Sequence, residues 1–444
     1  MQDGGPSDLW VAAVFGRLDQ VRSLLSTGAA AAVDQRCTFQ ETSPLWISAQ
    51  QGHLAVVQAM LSAGASVEVQ SSCGATPLWA ASDQGHAPVV RALLSAGAKV
   101  NALRCGSTSL HTASEHGFVK VVKRLLKGGA APDLRDSEGV TALWSASSNG
   151  HADVVHALLS ANANADLPND EGASPLCIAA QHGFVEVVQA LLSAKAAVDV
   201  RTPRGASILY LAAQNGHAAV VRALLAAGGS DVNLQNDEGA TPLFIACDRG
   251  HLETALILIS AGADLDRPLS SGYTVLHNTC RTGQLAIIGA LLAAGARADL
   301  RARHGVTPLD VLPRALLSEV TRMVQQAKEG REGGGGRAAQ SGSGAGASAA
   351  PPEEGAAAVS DAGGQPWPAT ASQPGSGSSG VCAMCGGTAP AGAKLHACGR
   401  CRSVRYCSPV CQAKHWREGG HKAACPQLQG AREERKKCAA GGRG

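Results

Sequence analysis

Aromatic residues make up 3% of the 444-residue chain and charged residues 16%. A core must therefore come from aliphatic side chains and alanine, and 45% of the chain is hydrophobic. The formal net charge is +3, too small for this length to point to a polyanionic partner. No run of about 18 uncharged apolar residues is present, so no membrane span is expected. The N-terminus, MQDGGPSDLW, lacks a basic stretch followed by an apolar core, which argues against a secretory signal. The expectation is an intracellular protein, in cytoplasm, nucleus or both, where cysteines are seldom paired as disulfides.

The 14 cysteines are unevenly placed. Cys37, Cys73, Cys105, Cys177, Cys247 and Cys280 are scattered and read as small buried hydrophobes or surface thiols. Seven others crowd between residues 382 and 425, and Cys438 stands alone in the tail.

A repeat fills the first three quarters of the chain. A Thr-Pro-Leu string recurs, intact or degenerate, at Ser43, Thr76, Thr108, Thr141, Ser174, Ser207, Thr241, Thr274 and Thr307. The steps are 33, 32, 33, 33, 33, 34, 33 and 33 residues, and Ser7-Asp8-Leu9 fits the same column upstream. Ser or Thr caps a helix and Pro suits its first position. An Ala-rich turn pair follows, then a Gly-His or similar break, then a second helix with an apolar stripe such as VVRALLSAGA (89–98) closed by Gly-Ala. Neither helix can bury its apolar face alone, so neighbouring units must stack.

The period and the T-P-L…G-H…V-V…L-L…G-A pattern resemble the ankyrin repeat over roughly residues 7–328. The resemblance implies a mainly α, curved solenoid of about ten helix pairs with projecting hairpin tips, which binds proteins through the tips and inner helices. In the last unit, Pro313 and polar residues replace the second apolar stripe, which suits a C-terminal cap. His53, His86, His151, His217 and His251 follow glycine in the repeats. Stacked helices about 8–10 Å apart cannot bring such a column to one metal ion, so local turn bonding is expected of them. Trp10, Trp46, Trp79 and Trp144, with Tyr210 and Phe244, follow the Thr-Pro-Leu leucine. They read either as packing between repeats or as a partly exposed stripe in which Trp46, Trp79 and Trp144 contact a partner.

Residues 329–380 are dominated by Gly, Ser, Ala and Pro without periodicity and read as a disordered linker. At that length a flexible chain spans roughly 40 Å root-mean-square. Beyond it, in residues 381–425, stand Cys382-x2-Cys385, Cys398-x2-Cys401, Cys407-x3-Cys411 and His421-x3-Cys425. Four ligand pairs make two complete tetrahedral sites and predict two structural Zn2+ ions. Spacing alone leaves open whether the pairs combine sequentially or interleave.

The whole spacing, with Tyr406 before a cysteine and Gln412 and His415-Trp416 after the next, resembles the MYND zinc finger. The resemblance implies an interleaved cross-brace: Cys382, Cys385, Cys407 and Cys411 on one zinc, and Cys398, Cys401, His421 and Cys425 on the other. His396 and His415 are then surplus. It also implies that Gln412 and Trp416, four apart on one helix face, meet a proline-containing peptide, although Trp416 could instead cover the second zinc site.

Residues 426–444 read as a basic disordered tail; Arg435-Lys436-Lys437 suits either solvated chain or a nuclear signal. The spacing departs from the C2H2 pattern that places a helix in the major groove, so nucleic-acid binding is not expected of the module. No nucleophile–base set or phosphate loop stands out. The resulting expectation is a non-enzymatic, monomeric scaffold with two protein-binding surfaces. The alternative is a transcriptional or chromatin regulator that contacts nucleic acid through the basic zinc module and tail.

Overall fold

The computed structural model describes residues 7–27, 33–37 and 41–334, with side chains to residue 329, and the backbone segments 396–397 and 405–406. The chain divides into two compact units, Met1–Gly342 and Ser343–Gly444.

The first unit is a series of short helix pairs. They are Asp8–Val14 (α1) with Leu18–Ser26 (α2), Pro44–Gln51 (α3) with Leu54–Ser62 (α4), and Pro77–Asp83 (α5) with Ala87–Ser95 (α6). Ser109–Glu115 (α7) pairs with Val119–Lys127 (α8), Ala142–Ser148 (α9) with Ala152–Leu159 (α10), and Pro175–His182 (α11) with Val185–Ser193 (α12). Ile208–Gln214 (α13) with Ala218–Ala227 (α14), Pro242–Asp248 (α15) with Leu252–Ser260 (α16), and Val275–Thr282 (α17) with Leu285–Ala294 (α18) complete the series. The odd-numbered helices pack on one another in order, as do the even-numbered ones, giving two layers.

The first helix of each pair starts where the cap chemistry dictates. Ser43, Thr76, Thr141, Ser174, Ser207 and Thr241 are extended and accept the amide of the residue three on through their hydroxyls. That bond satisfies one of the orphan donors of a helix start. The leucine that follows is the core residue of the layer: Leu45, Leu78, Leu110, Leu143, Leu176, Leu209, Leu243 and Leu276 are all buried. Alanines at 80, 81, 113, 146, 179, 180, 212, 213 and 246 are nearly or fully buried between successive helices, where a larger side chain would push the layers apart. The second helices bury a Val-Val-x-x-Leu stripe, as at Val89, Val90 and Leu93, or Val187, Val188 and Leu191.

Polar columns staple one repeat to the next. Local bonding of the glycine-histidine column, the expectation from sequence, gives way to bonds across repeats. Nε2 of His53, His86, His151, His217 and His251 donates to the carbonyls of Val14, Gln50, Glu115, Gln181 and Gln214 of the preceding repeat, at 2.9–3.1 Å. Those carbonyls belong to the last turn of an inner helix or its immediate flank, where no intrahelical donor remains. Where the column holds Phe184 instead, His182 Nδ1 reaches the equivalent Ser148 carbonyl. Each ring lies over the equivalent glycine of the preceding repeat. A Cβ on Gly183, which has φ +80°, would come within 2.5 Å of the His217 ring.

A second ladder runs through the hairpin tips. Asp34, Glu68, Asn101, Asp133, Asp166, Asn233 and Asp266 each accept, through a side-chain oxygen, a backbone amide of the following repeat.

The tenth unit departs from the expected helix pair. After Thr307 the chain forms turns and a short 3-10 segment at Arg314–Leu316, then one 18-residue helix, Leu317–Gly334 (α19). Asp310 takes both the amide and the hydroxyl of Thr307, at 2.8 and 2.7 Å. Pro313 would fall inside a first helix, where it lacks an amide donor and clashes with the preceding turn. Helix α19 packs on α18 and buries Val320 and Val324, so the unit closes the stack as a cap. It continues through residues 329–334, which composition assigns to the linker.

In the second unit, His396–Ala397 (β1) and Arg405–Tyr406 (β2) pair antiparallel, with His396 opposite Tyr406 and Ala397 opposite Arg405. No helix of the described residues is long and apolar enough to cross a membrane.

Candidate protein-binding surfaces and zinc centre

The tryptophan column occupies the third position of the inner helices and faces the next hairpin. Trp46 is 8% exposed and donates Nε1 to Ala75 O at 2.9 Å. Trp144 is half-buried and donates to Ala173 O at 3.0 Å. Trp10 donates to Thr42 Oγ1 at 3.1 Å. The same position holds His111 and His277, whose Nε2 atoms donate to Val140 O and Val306 O, both at 3.0 Å. These two histidines escaped the sequence reading. Alignment on the Thr-Pro-Leu column would have placed them beside the tryptophans as N–H donors.

Both histidines have a fixed tautomer. A carbonyl only accepts, so Nε2 carries the proton, and Nδ1 accepts from the amide and hydroxyl of Thr108 or Thr274. Burial lowers the His111 pKa, against the opposing effects of its Val140 carbonyl partner and Asp136.

Trp79 is the exception in the column. It is half-buried, its Nε1 has no partner, and the Arg104 guanidinium lies 4.0 Å from its ring centroid. Such stacking is a cation–π contact. The tip that supplies Arg104 belongs to the 32-residue step, the shortest in the array.

The framework columns recur from repeat to repeat, whereas the hairpin tips and some inner-helix positions differ. The residue after the third position is Ile47, Ala80, Thr112, Ser145, Ile178, Leu211, Ile245 or Asn278, buried or half-buried in every case. Near the ends of the inner helices, Thr112 donates to Asp83 at 3.0 Å, and Asn278 to Asp248 at 2.8 Å. At the tips, Arg135 donates to Gly139 O and Pro168 O and pairs with Asp170 at 2.9 Å. That pair is largely exposed, so its energetic worth is small and its main effect is to fix the shape of two adjacent tips.

The expected zinc ligands Cys382, Cys385, Cys398, Cys401, Cys407, Cys411, His421 and Cys425 lie outside the described residues, as do Gln412 and Trp416. A donor set of thiolates with one imidazole is the chemistry of structural zinc. Among the described residues no group of three or more His, Cys, Asp or Glu could hold a metal ion.

Stacked helix pairs with projecting hairpins define a repeat solenoid. The family of ankyrin repeats matches the chain in overlapping segments, 9–104, 101–169, 155–236, 176–269 and 209–302, and the MYND finger family matches residues 382–425. The chain belongs to the ankyrin-repeat family and carries a C-terminal MYND zinc finger.

Among solved structures, the ankyrin repeat domain of Bcl-3, of the IkappaB protein family, is 27% identical with a TM-score of 0.45, covering 49% of this chain and 99% of that one. The human ASB11 ankyrin repeat domain is 25% identical with a TM-score of 0.45, covering 49% of this chain and 98% of that one. A curated relative, Ubiquitin C-terminal hydrolase 15 of Oryza sativa subsp. japonica, is 51% identical over 49 residues. The match takes in 11% of this chain and spans only 4% of the length of that relative.

Proposed function

We propose that the protein is a non-enzymatic, monomeric scaffold that holds two protein partners, one on the solenoid and one on the zinc finger. The observation that carries this reading is the division of labour within the repeats. The leucine, alanine and histidine columns, with Trp46 and Trp144, turn their apolar surface and N–H donors to the next or preceding repeat, whereas the hairpin tips vary. A rigid frame with variable projections suits recognition of one protein surface. Trp79 and Trp144, half-buried beside the tips, supply aromatic area for that contact, while Trp46, 8% exposed and bonded to Ala75 O, adds little.

The finger supplies the second surface. In this reading two zinc ions are held in the interleaved arrangement, Cys382, Cys385, Cys407 and Cys411 on one and Cys398, Cys401, His421 and Cys425 on the other. Closed four-ligand sites leave no open position for a substrate, which makes the metal structural. Gln412 and Trp416, at helical spacing, contact a proline-containing peptide, whose extended form costs little entropy to bind. The Gly/Ser-rich composition of residues 335–380 suits a tether that raises the effective concentration of one partner near the other.

A pull-down that compares the full-length protein with Trp416→Ala and with a 1–334 truncation tests the reading. Partners lost from both belong to the finger, and partners kept by both belong to the solenoid. Retention of every partner by the truncation would leave the finger without a binding role.

A further inference from the structure

The tip between α6 and α7 is built unlike the others. Arg104 and Ser107 exchange both backbone hydrogen bonds, at 2.8 and 2.9 Å, around Cys105 and Gly106. Both central residues have positive φ, +49° and +84°, the requirement of a tight two-residue turn. Asn or Gly normally fills the first of these positions, and a cysteine there is uncommon. The turn carries Cys105 back over the preceding tip, with its Sγ 3.8 Å from Cys73 O.

Cys73 is exposed and sits among donors. Arg104 Nε donates to its sulfur at 3.4 Å, and Ser71 Oγ lies 3.2 Å from it. Ser71 Oγ already accepts the Ala75 amide, so its own hydrogen is free for the sulfur. The Arg104 guanidinium in turn lies over the Trp79 ring. Partial burial would raise the thiol's pKa, but the bonds from Ser71 and Arg104, the Arg104 charge and the Ala75 backbone outweigh it and leave the thiol below its ordinary value. By contrast, burial raises the thiol of Cys177 and pushes those of Cys247 and Cys280 up to about 12.

We propose that Cys73 and Cys105 form a dithiol oxidation site on adjacent hairpin tips that takes hydrogen peroxide as oxidant, with Cys73 as the attacking thiolate and Cys105 as the resolving thiol. The Cys73 thiolate attacks a peroxide oxygen: an S–O bond forms, the O–O bond breaks, and hydroxide leaves and is protonated to water. The Cys105 sulfur then attacks the Cys73 sulfenic acid: an S–S bond forms, the S–O bond breaks, and the departing hydroxide takes up the Cys105 proton as a second water. Two thiols are oxidised to one disulfide and one peroxide is reduced to two waters. The guanidinium of Arg104 stabilises the attacking thiolate and loses that partner once the disulfide forms, so the charge that the tips display changes with oxidation.

The test uses the zinc-loaded full-length protein, a small excess of hydrogen peroxide, quenching by alkylation and peptide mass mapping. A Cys73–Cys105 cross-linked peptide is expected before any oxidation of Cys177, Cys247 or Cys280. Cys105→Ser should accumulate a sulfenic acid at Cys73 that dimedone traps. Arg104→Gln should slow the oxidation of Cys73 about threefold, since a rise in thiol pKa lowers the thiolate fraction more than nucleophilicity compensates. Oxidation of Cys73 no faster than of the buried thiols, or its pairing with any cysteine other than Cys105, would overturn the assignment. An unchanged rate in Arg104→Gln would remove Arg104 from it.

Discussion

His111 and Trp144 hold the same position in consecutive repeats and make the same bond to the next hairpin, yet only one of them can titrate. Protonation of His111 at Nδ1 would remove the acceptor of the Thr108 amide and set two donors against each other. Burial, its largest influence, already places the folded-state pKa below the ordinary 6.5. The unfolded chain therefore takes up the proton first as the pH falls. The stability that His111 contributes is complete above about pH 6.5 and is lost as pH falls from there through the folded pKa. His111→Trp keeps a donor for Val140 O and removes the titration. Its urea midpoint should decline less between pH 7 and 5 than that of the parent, with the remaining slope carried in part by His217, whose pKa burial also lowers. An equal slope in both proteins would show that His111 is not the titrating group. The role of His111 was hidden in the sequence because its partner lies 29 residues on. The caps at Ser43 or Thr76 were legible because their partners lie three residues on. The candidate contacts Trp46, Trp79 and Trp144 were likewise visible as a column, but the bonds of Trp46 and Trp144, and the Arg104 stacked on Trp79, depend on how the next tip is built.

Helix pairs are legible as elements because each carries its own start, break and stop, and the pattern repeats with steps of 32 to 34 residues. The tenth unit shows where such reading stops. Its Thr-Pro-Leu string predicts a first helix, but Pro313 and Asp310 turn the chain, and the apolar demand of α18 is met by one long helix instead. Val320 is the most deeply buried residue of α19 and packs into the core that ends the stack. Val320→Ala should cost about 2 kcal/mol, from lost burial and the cavity left behind. In a solenoid each unit touches only its neighbours, so the loss should be local. Amide exchange in α18 and α19 should rise while that in α9 and α10 stays unchanged. A uniform rise across the array would mean that the stack opens as one body and that α19 is not a separable cap.

At the scale of the molecule, the two units draw on different sources of stability. The solenoid buries columns of leucine, valine and alanine, and its described residues contain no cluster able to hold a metal. The finger family matches only residues 382–425, a length at which a hydrophobic core alone seldom suffices and metal usually substitutes for it. For such modules the free energy of zinc binding, about 10–16 kcal/mol, is the free energy of folding. Chelation at neutral pH should therefore leave the helical circular dichroism and melting of the solenoid in place while the NMR resonances of residues 382–425 lose their dispersion. Two zinc ions per chain should be released, since eight ligands fill two tetrahedral sites and one ion would leave four thiolate or imidazole groups unused. Loss of the solenoid's melting transition on chelation would mean that the metal stabilises the repeats. A release of one ion would reduce the finger to a single site and undo the interleaved arrangement proposed for it.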